Sequence, residues 1–288
     1  MKPWPRAMPA LITPFTASYE IDLDAHRRNI EAMAARGASG VLISGSTGEG
    51  PYLEDGERGA LVAAAKDMSP SLTVVCGINA ESVRQALAQV DEVTGAGADA
   101  LLVITPTTLV RGRTHLVESF FEAVAEAAHI PIMLYTVPGV TGYELPTEAI
   151  ASLALHPNII GMKDSGGDAS RLETLADTVA SGFVVYAGAS RSLAASAKVG
   201  AWGAITASAN YALSDVSMAA QGDATAQRRL VTLTTVIETF GVAGTKLAAS
   251  MTGLEAGASR PPLPSTLGAE AREAIRSTLM EHGLISTQ

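Results

Sequence analysis

Short apolar runs alternate along this chain with longer segments whose apolar residues recur every three or four positions. The runs cover residues 8–12, 41–43, 73–76, 100–104, 130–134, 159–162, 183–186 and 201–206. Helical spacing marks residues 23–35, 55–67, 82–94 and 115–128 between them. A near-continuous apolar run is a strand covered on both faces, and strand–helix alternation is the pattern of parallel β/α units. Eight units within about 200 residues predict a closed α/β architecture, a (β/α)8 TIM barrel.

Three segments share one form: Gly37-Ala38-Ser39-Gly40-Val41-Leu42-Ile43, Gly97-Ala98-Asp99-Ala100-Leu101-Leu102-Val103 and Gly200-Ala201-Trp202-Gly203-Ala204-Ile205-Thr206. Each reads as a glycine ending a helix, a tight turn, then a strand. The barrel is expected to occupy residues 1–210. Residues 211–288 are expected to form a helical C-terminal extension packed on it, with helices at 215–239, 245–252 and 268–281. Ser259-Arg260-Pro261-Pro262-Leu263-Pro264 predicts a stiff loop between them.

Composition agrees with a packed globular chain: 47% hydrophobic, 17% charged, net charge -9. The acidic balance argues against nucleic acid or an anionic membrane as partner, though not against a small anionic substrate held by local donors. The lone cysteine, Cys76, excludes an intrachain disulfide and sits in an apolar run, as a small core residue does. Met-Lys-Pro-Trp-Pro-Arg leads into no long apolar segment, and no run reaches 18 apolar residues, so the chain is expected to be cytoplasmic.

In such barrels the chemistry sits at the C-terminal ends of the strands. The sixth run ends Gly161-Met162-Lys163-Asp164-Ser165-Gly166-Gly167-Asp168. Of five lysines, Lys2, Lys66, Lys198 and Lys246 fall in the N-terminal tail or in helical segments near solvent. Lys163 alone closes an apolar strand. Burial disfavours an ammonium and favours the neutral, nucleophilic amine. The alternative is a lysine reaching out to the mouth or paired with Asp164. The second run ends Ser44-Gly45-Ser46-Thr47-Gly48-Glu49-Gly50, two hydroxyls between glycines, as in an anion-binding nest or a plain βα turn. After the fifth run, Tyr135 offers a phenol at the mouth, either a proton carrier or a rim aromatic. Trp202, Phe183 and Tyr186 read as packing, and His26, Arg27 and Arg28 as a solvated helix face. Five histidines without paired spacing and one cysteine predict no metal and no organic cofactor.

Taken together, Gly45-Ser46-Thr47-Gly48-Glu49, Tyr135-Thr136-Val137-Pro138-Gly139 and Gly161-Met162-Lys163-Asp164-Ser165 resemble the signatures of the dihydrodipicolinate synthase / N-acetylneuraminate lyase family of class I pyruvate aldolases. The likeness runs from Pro9-Ala10-Leu11-Ile12-Thr13-Pro14-Phe15 to Arg260-Pro261-Pro262-Leu263. Lys163-Asp164-Ser165-Gly166-Gly167-Asp168 and Arg111-Gly112-Arg113 look most like the 4-hydroxy-2-oxoglutarate aldolase branch. The resemblance implies a Schiff base on Lys163, a proton carried by Tyr135 and relayed by Ser46, and a 2-oxo acid bound by Thr47, Gly48, Ser165, Gly188 and Ile205. It also implies a homotetramer.

Two positions depart from the family. The synthases have an arginine after Tyr-x-Val-Pro-x that binds the aldehyde's carboxylate, where this chain has Val140. Many members have a tyrosine after the fourth strand's Thr-Pro, where this chain has Thr107 and Thr108. The expected activity is therefore reversible aldol cleavage of a 4-hydroxy-2-oxo acid or a 2-oxo-3-deoxy sugar acid to pyruvate (or pyruvate plus glyoxylate) and an aldehyde. The alternatives are condensation of pyruvate with aspartate semialdehyde, and a barrel that only binds 2-oxo acids.

Overall fold

A computed structural model describes residues 4–286. Eight parallel strands follow one another around a barrel: β1 (Ala7–Pro9), β2 (Gly40–Ile43), β3 (Thr73–Ile78), β4 (Ala100–Ile104), β5 (Ile132–Thr136), β6 (Ile159–Asp164), β7 (Val184–Ala187) and β8 (Gly203–Thr206). β1 pairs with β8, Met8 opposite Ile205. A bridge from Ala10 to Leu42 closes the ring onto β2, where Leu11 N–H donates to Leu42 O at 2.8 Å. The expected TIM barrel is therefore present, and every expected strand is found within a few residues of its run.

Side chains alternate across the barrel wall. Met8, Leu42, Val75, Leu102, Met133, Tyr135, Tyr186 and Ile205 form an inner cluster. Ile43, Cys76, Val103, Leu134, Met162 and Val185 belong to the outer core beneath the helices. Both faces are buried, which is why the strands read as unbroken apolar runs. Cys76 is fully buried, and burial pushes its thiol up to about 12.

The intervening helices are α1 (Leu23–Ala35), α2 (Glu57–Met68), α3 (Val83–Gly95), α4 (Thr114–Ala127), the turn-length α5 (Pro138–Thr141), α6 (Thr147–Leu153), α7 (Ala169–Glu173), α8 (Ala176–Ala180) and α9 (Leu193–Lys198). Asp22 and Ser82 cap α1 and α3, accepting from Ala25 N–H and Gln85 N–H. Gly37, Gly97 and Gly200 have φ of 90°, 95° and 97°, left-handed values that favour glycine. The repeated helix-to-strand turn is thus one device used three times.

Beyond β8 lie α10 (Ala209–Ala219), α11 (Ala224–Ile237), α12 (Gly241–Met251) and α13 (Ala269–Glu281). The single helix expected at 215–239 is two, because Gly222 takes φ 95° and Asp223 caps the new helix through Ala226 N–H at 2.7 Å. α10 begins before residue 210 and completes the eighth β/α unit, with the fully buried Asn210 donating to Ala10 O at 2.7 Å. The chain after α12 then crosses the barrel's mouth side, and Ala258 N–H donates to Phe15 O.

His26 departs from expectation. It is 1% exposed, not solvated, and its Nε2 meets Leu61 O of α2 at 3.1 Å. Trp202 and Phe183 pack just ahead of β8 and β7 rather than within them.

Candidate active site

The register of the barrel brings the site together. Lys163 on β6 lies opposite Tyr135 on β5 and Tyr186 on β7. All three stand near the C-terminal ends of their strands. Lys163 is 5% exposed, and its Nζ is 4.4 Å from the centre of the Tyr135 ring. It is not paired with Asp164. That carboxylate is taken by Arg171 of α7 through Nε at 2.9 Å, and by Gly166 N–H at 2.7 Å. Arg171 is shared with Glu144 and the Leu145 carbonyl, so the end of β6 is anchored away from the amine.

The side chains of Ser46, Ser165 and Lys163 are the hydrogen-bonding neighbours of the Tyr135 phenol. Burial alone would push it up. The neighbouring Lys163 charge and these hydrogen bonds outweigh burial and hold it below its ordinary value. Ser46 reaches Tyr135 from the loop after β2. One phenol therefore links three segments that are far apart in sequence.

Gly188, just past β7, closes the other side. A Cβ there would come 2.8 Å from Lys163 Cε and 2.0 Å from Ser165 Oγ, so only glycine leaves room for the lysine stem. Thr47 and Gly48 share the Ser46 loop. Gly48 O accepts from Thr13 Oγ1 at 2.7 Å, and a Cβ on Gly48 would meet Leu11 O at 2.7 Å. Ile205 is fully buried in the inner cluster with Tyr135. Of the expected site residues, Ser46, Tyr135, Lys163, Ser165 and Gly188 are thus joined by direct contacts. Thr47, Gly48 and Ile205 lie in the adjoining loop and wall.

Several partners were not expected from sequence. Lys246 on α12 is 4% exposed, contrary to its reading as a lysine near solvent. It is the single charge in an otherwise uncharged helix, the same signal that marked Lys163. Its Nζ donates to Glu49 Oε1 at 2.5 Å and to Ala258 O. Burial pushes this amine down, against the pull of Glu49. Both lysines are buried, but only Lys163 faces Tyr135 and the barrel's mouth. Glu81 holds the strand-four loop, accepting from Thr107 N–H at 2.9 Å and Thr108 N–H at 2.8 Å. Arg191 donates to Gly166 O at 2.9 Å. Val140 of α5 is 70% exposed on the rim, and Arg111 approaches Gly142 at the end of the same turn. Among the described residues, no group of three His, Cys, Asp or Glu is arranged to hold a metal ion, and no helix is long and apolar enough to cross a membrane.

A (β/α)8 barrel holding a buried amine against a phenol is the framework of a Schiff-base-forming lyase, and the chain is an enzyme of that class. It belongs to the dihydrodipicolinate synthetase family, whose model matches residues 4–282. 4-Hydroxy-tetrahydrodipicolinate synthase 1 of Streptomyces coelicolor is 34% identical over 98% of this chain and 94% of its own length. The 4-hydroxy-tetrahydrodipicolinate synthase of Methanosarcina mazei is 32% identical over 89% of this chain and 91% of its own. Among solved structures, YagE superposes with a TM-score of 0.90 at 25% identity, covering 98% of this chain and 99% of the other. YagE is a prophage protein of the dihydrodipicolinic acid synthase family from E. coli K12, solved in complex with pyruvate. The chemistry of this chain is accordingly that of the pyruvate lyases and aldolases.

Proposed function

We propose that this enzyme cleaves a 4-hydroxy-2-oxo acid or a 2-oxo-3-deoxy sugar acid to pyruvate and an aldehyde. The observation that carries the reading is the Lys163–Tyr135 pair, with Nζ 4.4 Å from the ring and the phenol held below its ordinary value. Lys163 adds to the ketone carbon, and loss of water leaves a protonated imine. The imine draws electrons from the C3–C4 bond as Tyr135 takes the proton of the C4 hydroxyl, which leaves as the aldehyde. The enamine then gains a proton at C3, and water releases pyruvate and the free amine. Ser46, bonded to Tyr135, passes the proton on. Thr47, Gly48 and Ser165 hold the carboxylate of the 2-oxo acid, while Gly188 and Ile205 shape the space around it.

The relatives' names favour a second reading, condensation of pyruvate with aspartate semialdehyde. It needs a donor for that substrate's distal carboxylate. The family's arginine is Val140 here, and a charge-assisted hydrogen bond is worth roughly 1.5–3 kcal/mol. Arg111, beside the same turn, is the available replacement, with Arg113 in the same loop, so the two readings differ in how well Arg111 serves. A cytoplasmic homotetramer acting without metal or organic cofactor completes the proposal.

The test measures pyruvate release from 4-hydroxy-2-oxo acids and 2-oxo-3-deoxy sugar acids beside pyruvate consumption with aspartate semialdehyde. Cleavage is expected to be faster by about a hundredfold or more in kcat/KM. Condensation at or above the best cleavage rate overturns the first reading. Turnover of none of these substrates would favour a barrel that only binds 2-oxo acids.

A further inference from the structure

The Ser46–Thr47 loop is framed by two non-glycine residues in left-handed backbone, Ser44 and Glu49, each with φ 58°. Such residues carry strain of order 1–3 kcal/mol each and persist where surrounding contacts over-determine them. At the Glu49 end those contacts come from outside the β/α repeat. Glu49 is 1% exposed; Oε1 accepts from Lys246 Nζ of α12, and Oε2 accepts from Arg260 N–H at 2.8 Å. Lys246 also donates to Ala258 O, tying α12 to the segment that crosses the mouth. Arg260 is fixed in turn by a two-pronged bond to Glu57 of α2, through Nη1 at 2.5 Å and Nη2 at 2.6 Å. Both cations lie over the Phe15 ring, Lys246 Nζ at 5.0 Å and the Arg260 guanidinium at 4.5 Å. Gly50, next in the chain, has its carbonyl bonded by Arg58 of α2 at 2.5 Å.

We propose that the buried Glu49–Lys246 pair is a positioning device through which the C-terminal helices set the substrate-carboxylate loop. Glu49 lies two residues from Thr47 and three from Ser46, so a shift of its backbone moves both hydroxyls. Among the described residues, the side chains that act on the Tyr135 phenol, Lys163, Ser46 and Ser165, all precede the helices after β8. The contribution of those helices runs through this loop, and acts on binding of the 2-oxo acid more than on the amine. A buried ion pair is weak as a stabilising device, since an apolar pair of similar volume often serves as well. Its place beneath a strained, hydroxyl-bearing loop is explained by what it positions.

The inference rests on the reading of Lys163 as the imine-forming residue, and the test separates the two. Borohydride trapping of pyruvate on the protein is followed against pyruvate concentration. The wild type is compared with Lys246→Met, Lys246→Arg and the double variant Glu49→Gln/Lys246→Met. The double variant leaves no unpaired buried charge, so it remains informative if Lys246→Met fails to fold. Half-saturating pyruvate is expected to rise about tenfold to a hundredfold in the folded double variant. The maximal trapping rate on Lys163 should fall far less, and Lys246→Arg should recover part of the affinity. A folded double variant that half-saturates within about twofold of the wild type overturns the positioning role, because a purely structural pair would lower only the melting temperature. A wild type that forms no adduct on Lys163 overturns the functional reading and this inference with it.

Discussion

At the scale of single residues the account turns on how neighbours change an amine and a phenol. Tyr135 is held below its ordinary value, whereas burial pushes Tyr186 and Tyr211 up. Tyr135→Phe should therefore remove the component of the phenolate absorbance titration that appears at lowest pH. Lys163→Met should move that component upward, since the lysine charge is the first of the influences that lower it. A titration unchanged in both variants would contradict the pairing. Tyr135→Phe should also lower aldol cleavage by about a hundredfold to ten-thousandfold while leaving imine formation detectable. Gly188→Ala makes a steric test. Its methyl would stand 2.0 Å from Ser165 Oγ and 2.8 Å from Lys163 Cε, so turnover should drop about a hundredfold with little change in melting temperature. Activity within about threefold of wild type would contradict the crowding. Lys163 and Tyr135 were legible in the sequence because each directly follows an apolar run, which places it at the C-terminal end of a strand, toward the mouth. Lys246 was not, because a helical position does not reveal which face is covered. Its partner Glu49 lies nearly two hundred residues away, and that pairing is a property of the fold.

At the scale of elements, strands and glycine turns were legible because their signals are local: unbroken apolar runs, and glycines that alone tolerate φ near 95°. The division between α10 and α11 was missed because the apolar period continues through Gly222, and only the Asp223 cap marks the restart. His26 was misread for a similar reason, since one polar residue on an amphipathic helix does not show which way it faces. Its burial between α1 and α2 has a measurable consequence. The ring is pushed down to about 4 from 6.5 by burial, and its nitrogen at Leu61 O offsets only part of this. The unfolded chain takes up that proton more readily than the folded one. The stability His26 contributes is therefore complete above about pH 6.5 and is lost as pH falls toward about 4, a difference on the order of 3 kcal/mol. Urea midpoints should show the wild type losing this much relative to His26→Gln between neutral pH and pH about 4. A gap that does not change with pH contradicts the assignment.

At the scale of the whole molecule, the net charge of -9 leaves recognition of an anionic substrate to local donors at the mouth. The same end carries exposed apolar residues: Leu109 of the strand-four loop is 83% exposed and Val140 is 70% exposed. The proposed association of copies would cover such apolar surface if it ran through this rim. Sedimentation at micromolar concentration should give a tetramer, or at least a dimer, and Leu109→Glu should weaken it. A wild type sedimenting only as monomer would remove the assembly from the account. The central claim is chemical, and it is tested most directly by trapping. Pyruvate and borohydride together should leave one reduced pyruvyl group per chain, mapped to the peptide that holds Lys163. The peptide holding Lys246 should carry none, because that amine is engaged by Glu49 and Ala258. Labelling at Lys246, or labelling that persists undiminished in Lys163→Ala, would contradict the account.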